Sequence, residues 1–314
     1  MSGRSQNGSV NVSYTEFLLL AFPGLQKSRY LLAIPFFCLY ILIVVGNSML
    51  IYTIRVESSL HSPMYTLIAL LFGVNICGTT VVLPMMLLSF VFGALRISLT
   101  ACLVQMFFLY FVLMVDYNIL LMMALDRYVA ICHPLRYMDI MTRKLIVILT
   151  LVALARSMSV VSPVVILASQ VTFCRSNIIR HFVCEHMALM RLSCSDISRN
   201  SIVGLLARTI TIIFDVSFFL TSYSRIIHAA LRITSGHLRN KAFHTCGSHL
   251  LVILTVYSSS LISSAVFRLA KSATQDVHNL ISAVYLLLPL AVNPVIYGLR
   301  TKEIRNNFLK LFKS

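Results

Sequence analysis

MALDRYVAICHPLRY, Met123 to Tyr137, sets an acid and a base side by side at the end of an almost uncharged run. Between Cys102 and Leu125 the one charged residue is Asp116, and then Asp126 and Arg127 arrive together, with Arg136 close behind. What such a doublet means depends on its solvent, and the rest of the chain decides that. Of 314 residues 58% are hydrophobic and 11% charged, against roughly 25% charged in an average soluble domain. The apolar residues form seven blocks, at about 31–54, 64–92, 102–125, 145–169, 202–223, 243–267 and 277–298. Each is near or above the ~20 residues that carry a helix across a bilayer. No block alternates over ~10 residues as a membrane strand would. The reading is an all-α membrane protein, a seven-transmembrane helix bundle. Arg156 in the fourth block and Arg208 and Asp215 in the fifth are costly in lipid, so they are expected to face the bundle or water.

Orientation follows from two signals. Asn7-Gly8-Ser9 and Asn11-Val12-Ser13 are glycosylation sequons in a polar amino terminus, which predicts an extracellular start. Seven crossings then leave the carboxyl terminus inside. That topology puts 14 Lys and Arg on the inner side and 10 on the outer, a modest positive-inside bias. The net charge of +16 is therefore assigned to topology and lipid contact, not to nucleic acid. The first 30 residues lack the compact apolar stretch of a cleavable signal peptide. Three regions result: an extracellular glycosylated segment over 1–30, the bundle over 31–298, and a cytoplasmic tail over 299–314. In the tail, Ile304, Phe308, Leu311 and Phe312 share one side with Lys302, Arg305 and Lys310 largely elsewhere, so it reads as a short amphipathic helix on the membrane surface. The expected location is the plasma membrane, multi-pass.

Cys102, Cys174, Cys184 and Cys194 fall on the outer side, where disulfides persist. Four cysteines allow three pairings. Cys38, Cys77, Cys132 and Cys246 read as free thiols.

At the inner end of the third span, the Asp126-Arg127 pair can be made or broken by moving neighbouring helices. Here the chain resembles a rhodopsin-like G-protein-coupled receptor, and more narrowly an odorant receptor, whose signature is close to MAYDRYVAICxPLxY. Further matches follow in order: Gly46-Asn47, Pro63 to Tyr65, Ser222-Tyr223, KAFHTCGSHL at Lys241 to Leu250, and NPVIYGLR at Asn293 to Arg300. FPGL at Phe22 to Leu25, CEHMALMRLSCSD at Cys184 to Asp196, Arg156-Ser157 and Asp215 are similar to the class I, fish-like branch. The resemblance implies disulfides Cys102–Cys184 and Cys174–Cys194. It also implies a polar centre of Asn47, Asn75, Asp116 and Asn293. The family's second-helix aspartate is Asn75 here and its third-helix glutamate is Asp116, with His244 in place of a serine. Losing one carboxylate weakens any cation site, so no metal or cofactor is assigned; Asp116 reads either as a working member of this polar centre or as a helix-packing residue bonded to Asn75.

The implied function is an odorant receptor that binds a small volatile or lipophilic molecule among helices three, five and six. Tyr110, Leu113 and Met114 lie about 20–26 Å from Arg127 on one helical face and form a mostly apolar wall. Arg268, with Ser264 one turn below it, matches the position that class I receptors are thought to use for acid ligands, and its guanidinium suits a carboxylate. Arg208 is a second candidate anion partner, with pairing to a nearby acid as its alternative. Agonist binding is expected to rearrange Asp126, Arg127, Tyr223, Asn293 and Tyr297 and to open a cleft for a heterotrimeric stimulatory, olfactory-type G protein, raising cyclic AMP. The alternative is a receptor of the same fold sensing a metabolite outside olfactory tissue. His181, Cys184 and His186 imitate zinc-ligand spacing, but the cysteine is better read as disulfide-bonded. No enzyme is expected. A channel or carrier is disfavoured by the scarcity of polar residues and of any internal repeat.

Overall fold

The structure is a computed structural model that describes residues 13–25, 27–269 and 272–311. The side chains of residues 238, 241, 267–269, 299 and 311 lie outside the description. Seven helices are long and apolar enough to cross a membrane. In chain order these first to seventh spans are Arg29–Val56, Pro63–Phe92, Leu99–Cys132, Arg143–Ser169, Ser198–Leu231, Gly236–Leu269 and Gln275–Arg300. In lipid each backbone polar group must be bonded within the protein, which is why apolar runs of this length become helices even through Pro35, Pro84, Pro163, Pro289 and Pro294.

Local chemistry fixes the ends. The Ser98 hydroxyl accepts from the Ala101 amide at 3.2 Å and the Thr142 hydroxyl from the Leu145 amide at 3.2 Å, each capping a helix start. Gly93, at φ +84, closes the second span in a conformation that side chains resist. The third and fifth spans run past their apolar blocks, to Cys132 and Leu231. Hydropathy marks only the part that lipid wets, whereas the helix continues into polar sequence.

The third span is the axis of the bundle: its most apolar stretch is 61% buried, against 17% in the first span. It packs against the second, fourth and fifth spans. One end carries a cap that the apolar pattern did not announce. Strands β1 (Glu16–Leu19), β2 (Leu95–Ser98) and β3 (Ile178–Ile179) form a sheet of order β2-β1-β3. β1 pairs antiparallel with β2, Phe17 opposite Ile97, and parallel with β3, Leu18 opposite Ile178. Phe17, Leu19, Ile97, Phe173 and Ile179 bury a small core beneath it. At the opposite end a helix, Lys302–Leu311, turns across the bundle. Ile304 is fully buried in the main core and Asn307 Nδ2 donates to Ser59 Oγ at 3.2 Å, so part of its apolar side meets protein. Asn7, Asn11 and Phe312 lie outside the described residues, as does the Leu311 side chain.

Candidate ligand cavity and the polar links beneath it

The structure joins Cys102 to Cys184 and Cys174 to Cys194. The first link ties the loop after the fourth span to the start of the third, and so delivers the next residue, Glu185, to the bundle. The Tyr110 hydroxyl donates to Glu185 Oε1 at 3.1 Å and accepts from the His186 amide at 3.1 Å. Glu185 Oε2 accepts from the Ala188 amide at 2.8 Å, which starts the short helix His186–Met190 over the cavity. Burial pushes the His181 and His186 imidazoles below their ordinary value of 6.5, and the nearby Glu185 carboxylate offsets this only in part.

Beneath this loop lies a cavity of about 490 Å³. Tyr110, Leu113 and Met114 of the third span form one wall, as a shared helical face requires, and Arg208 of the fifth span stands in another. A second cavity of about 410 Å³ lies toward the cap and includes Ser264. The two share Tyr110, Glu185, Met187, Arg191, Arg208 and Tyr285 in their walls. Arg268 belongs to the sixth helix, and its side chain lies outside the described residues. Glu185, Tyr285 and Ser260 were not singled out from sequence. The signal for Glu185 was available, because a residue following Cys184 goes wherever that disulfide is anchored.

Arg208 makes two hydrogen bonds through Nη2, to the Ser260 carbonyl at 2.6 Å and to the Ser260 hydroxyl at 2.7 Å. Both acceptors are neutral. Pairing of Arg208 with a neighbouring acid does not occur among the described residues, whereas Arg127–Asp126 and Arg156–Asp215 are ion pairs. Sequence could not foresee this, since one acceptor is a backbone oxygen.

Deeper in the bundle, Arg156 Nη2 meets Asp215 Oδ1 at 2.7 Å, and its Nη1 donates to Asn118 Oδ1. The Tyr257 hydroxyl donates to Asp215 Oδ2 at 2.8 Å, and Asn118 Nδ2 to Ser157 Oγ at 3.1 Å. Spans three to six are thus tied by one network. Tyr257 stacks on Tyr117, which lines the cavity.

In the polar centre, Asn47 Oδ1 accepts from Asn75 Nδ2 at 2.9 Å, and Asn75 Oδ1 accepts from Asn293 Nδ2 at 3.3 Å. This corrects the helix-packing reading's bond between Asp116 and Asn75: the Asn75 amide is engaged on both sides, and buried Asp116 Oδ1 has no partner. At the end away from the cap, Arg127 lies 3.4 Å from Asp126, whose Oδ1 also accepts from the Tyr137 hydroxyl at 2.7 Å. Burial, and then the Asp126 carboxylate, raise the Tyr137 hydroxyl above its ordinary range. Tyr223 bonds His249 Nδ1 from the sixth span, and the buried Tyr297 hydroxyl touches Met123 Sδ. These contacts tie the fifth span to the sixth and the seventh to the third.

Seven membrane-length helices around a central third span, with a walled cavity at one end and an acid–base pair at the other, define a heptahelical membrane bundle. The fold matches squid rhodopsin with a TM-score of 0.73 at 16% identity, covering 92% of this chain and 86% of that one. The family model for olfactory receptors matches residues 36–314. Similar proteins include human olfactory receptor 52K1, 41% identical over 95% of both chains, and rat olfactory receptor 51E2, 38% identical over 97% of this chain and 95% of that one. The chain belongs to the olfactory receptor family. It is a multi-pass membrane protein and a G-protein-coupled receptor for small molecules, not an enzyme.

Proposed function

We propose that the receptor detects a small carboxylic acid held in the cavity by Arg208. The observation behind this is the guanidinium itself: it is half-buried in a mostly apolar cavity wall that also carries Glu185 and Arg191, and its own hydrogen bonds go to neutral acceptors, with no acidic partner among the described residues. A carboxylate there would gain charge-assisted hydrogen bonds and balance a charge that hydrocarbon surroundings penalise. Arg268 and Ser264 would assist from the cap side. Glu185 would set a limit by repelling a carboxylate that approaches the loop, so the ligand's carboxylate is expected beside Arg208, Ser260 and Ser264 and away from Glu185.

In this reading the cap and the sequons at Asn7 and Asn11 face the extracellular side, with residues 299–314 inside. Agonist binding moves the sixth span through Ser260 and Tyr257, frees Arg127 from Asp126 and Tyr223 from His249, and admits a stimulatory G protein. Asn293 and Tyr297 would shift with the seventh span.

A cyclic AMP reporter in cells expressing the receptor and an olfactory G protein tests this against a panel of carboxylic acids with matched esters, alcohols and amines. The expected result is a response to acids that is lost in Arg208→Ala at normal surface level and reduced in Arg268→Ala. A response restricted to neutral compounds, or acid responses indifferent to both substitutions, would overturn the acid assignment.

A further inference from the structure

The fourth and fifth spans part on their outward side to leave a groove of about 410 Å³. Its outer lips are Val203, Leu206, Ile210 and Phe214, and its floor holds Arg156. Leu206, Ile210 and Phe214 are exposed, as side chains meeting lipid are. Arg156 is not: it is 23% exposed and lies under the Phe214 ring, 4.8 Å from the ring centre. Its two terminal nitrogens are engaged with Asn118 and Asp215, while Nε has no hydrogen-bond partner among the described residues. A guanidinium that lines a groove open to hydrocarbon favours a further acceptor there.

The charge balance narrows the occupant. The Asp215 carboxylate already neutralises the guanidinium, so an anion in the groove would place a net charge in the bilayer interior. An uncharged molecule with one acceptor avoids that cost. Depth narrows it further. Arg156 is halfway along the 27-residue fourth helix, about 20 Å from either end, whereas a sterol hydroxyl resides at the membrane surface. The wall behind the groove narrows it again: Val160, Ala207 and Thr211 line both the groove and the 490 Å³ cavity. All three side chains are small.

We propose that the groove between the fourth and fifth spans is a membrane-facing site for the uncharged form of the receptor's own lipophilic ligand. The ligand's acceptor sits on Arg156 Nε, and the site feeds the inner cavity through the Val160, Ala207 and Thr211 wall. The feeding step rests on the reading of that cavity as the ligand site. A carboxylic acid crosses in its protonated form, as the bilayer interior favours, and gives up its proton on reaching Arg208 and water in the cavity.

The test is photolabelling of the purified receptor in lipid nanodiscs with a medium-chain carboxylic acid carrying a diazirine, and with its methyl ester. Labelled residues are mapped by mass spectrometry over time. Both probes should label the groove, and excess cholesterol should not displace them. Leu206→Trp, which fills the groove from its lipid side without lining the inner cavity, should cut groove labelling by about tenfold. Ile210→Trp, at a separate lip position, should do the same, which guards against one variant failing to fold. In both variants the acid should label Leu113 and Met114 more slowly to an unchanged plateau. Ester label spread evenly over all lipid-facing helices, groove label indifferent to both variants, or displacement by cholesterol would overturn the site. Cavity labelling at the normal rate in both variants would overturn the route. Groove labelling without any cavity labelling would sink the acid cavity of the proposed function and leave the groove site standing.

Discussion

Two arginines sit well inside membrane-length helices, and the protein treats them in opposite ways. Arg156 is locked: Asp215 takes one terminal nitrogen, Asn118 the other, and Phe214 covers the face. Arg208 is merely held, by one serine's carbonyl and hydroxyl, with its charge unbalanced among the described residues. A charge in an apolar interior persists only if something offsets it. For Arg156 the offset is part of the fold. For Arg208 it is left to a visitor, and this is the difference between a structural charge and a receptive one.

The contrast can be broken most severely at Asp215. Asp215→Ala should destabilise the receptor by about 3–5 kcal/mol, because it strands a mostly buried guanidinium. Thermal unfolding and surface expression would show this, and Arg156→Leu with Asp215→Leu should recover much of the loss. If Asp215→Ala is tolerated as well as a surface change, the lock is not one. Next, Arg208→Gln should leave folding nearly intact and weaken acid agonists by the worth of a charge-assisted bond, about 1.5–3 kcal/mol in apparent affinity. A fall in surface level matching that of Asp215→Ala would place Arg208 in the fold instead.

A smaller effect comes from the loop above the cavity. His181 and His186 have folded-state values pushed down by burial from 6.5. The unfolded chain therefore takes up protons first as pH falls. Stability should be complete above about pH 6.5 and decline below it, by at most about 1.4 kcal/mol per pH unit for each histidine. Unfolding temperatures at pH 7.5 and 5.5 would measure this, and His181→Asn should flatten the slope. The smallest effect is expected at Asp116. Its Oδ1 has no partner to lose, so Asp116→Asn should shift stability by less than about 1 kcal/mol. A large loss would reveal a bound partner at the polar centre.

How much of this was legible beforehand depends on whether a solvent or a neighbour did the deciding. The bilayer fixes the spans, so hydropathy located all seven. It could not see that the third helix continues from Leu125 to Cys132, since those turns leave the lipid. Nor could it see the sheet: EFLL at Glu16–Leu19 is too short to carry a pattern, and its partners lie near residues 97 and 178 in the chain. At the site, the wall of Tyr110, Leu113 and Met114 followed from helical spacing. The pairing of Arg156 with Asp215, 59 residues apart, follows from helix packing that spacing does not encode. For Arg208, sequence left two outcomes open and chemistry alone could not choose, because the deciding atoms belong to Ser260. The bond between Asp116 and Asn75 of the helix-packing reading failed for a related reason: the seventh span supplies Asn293 as a competitor.

Arg208 is receptive where Arg156 is locked. The most direct test is the potency ratio of a carboxylic acid agonist to its methyl ester, measured by cyclic AMP in the wild type and in Arg208→Gln at matched surface level. The expected ratio favours the acid in the wild type and collapses toward parity in Arg208→Gln while the ester response persists. An unchanged ratio would contradict a receptive Arg208 and return it to the role of a helix-packing residue.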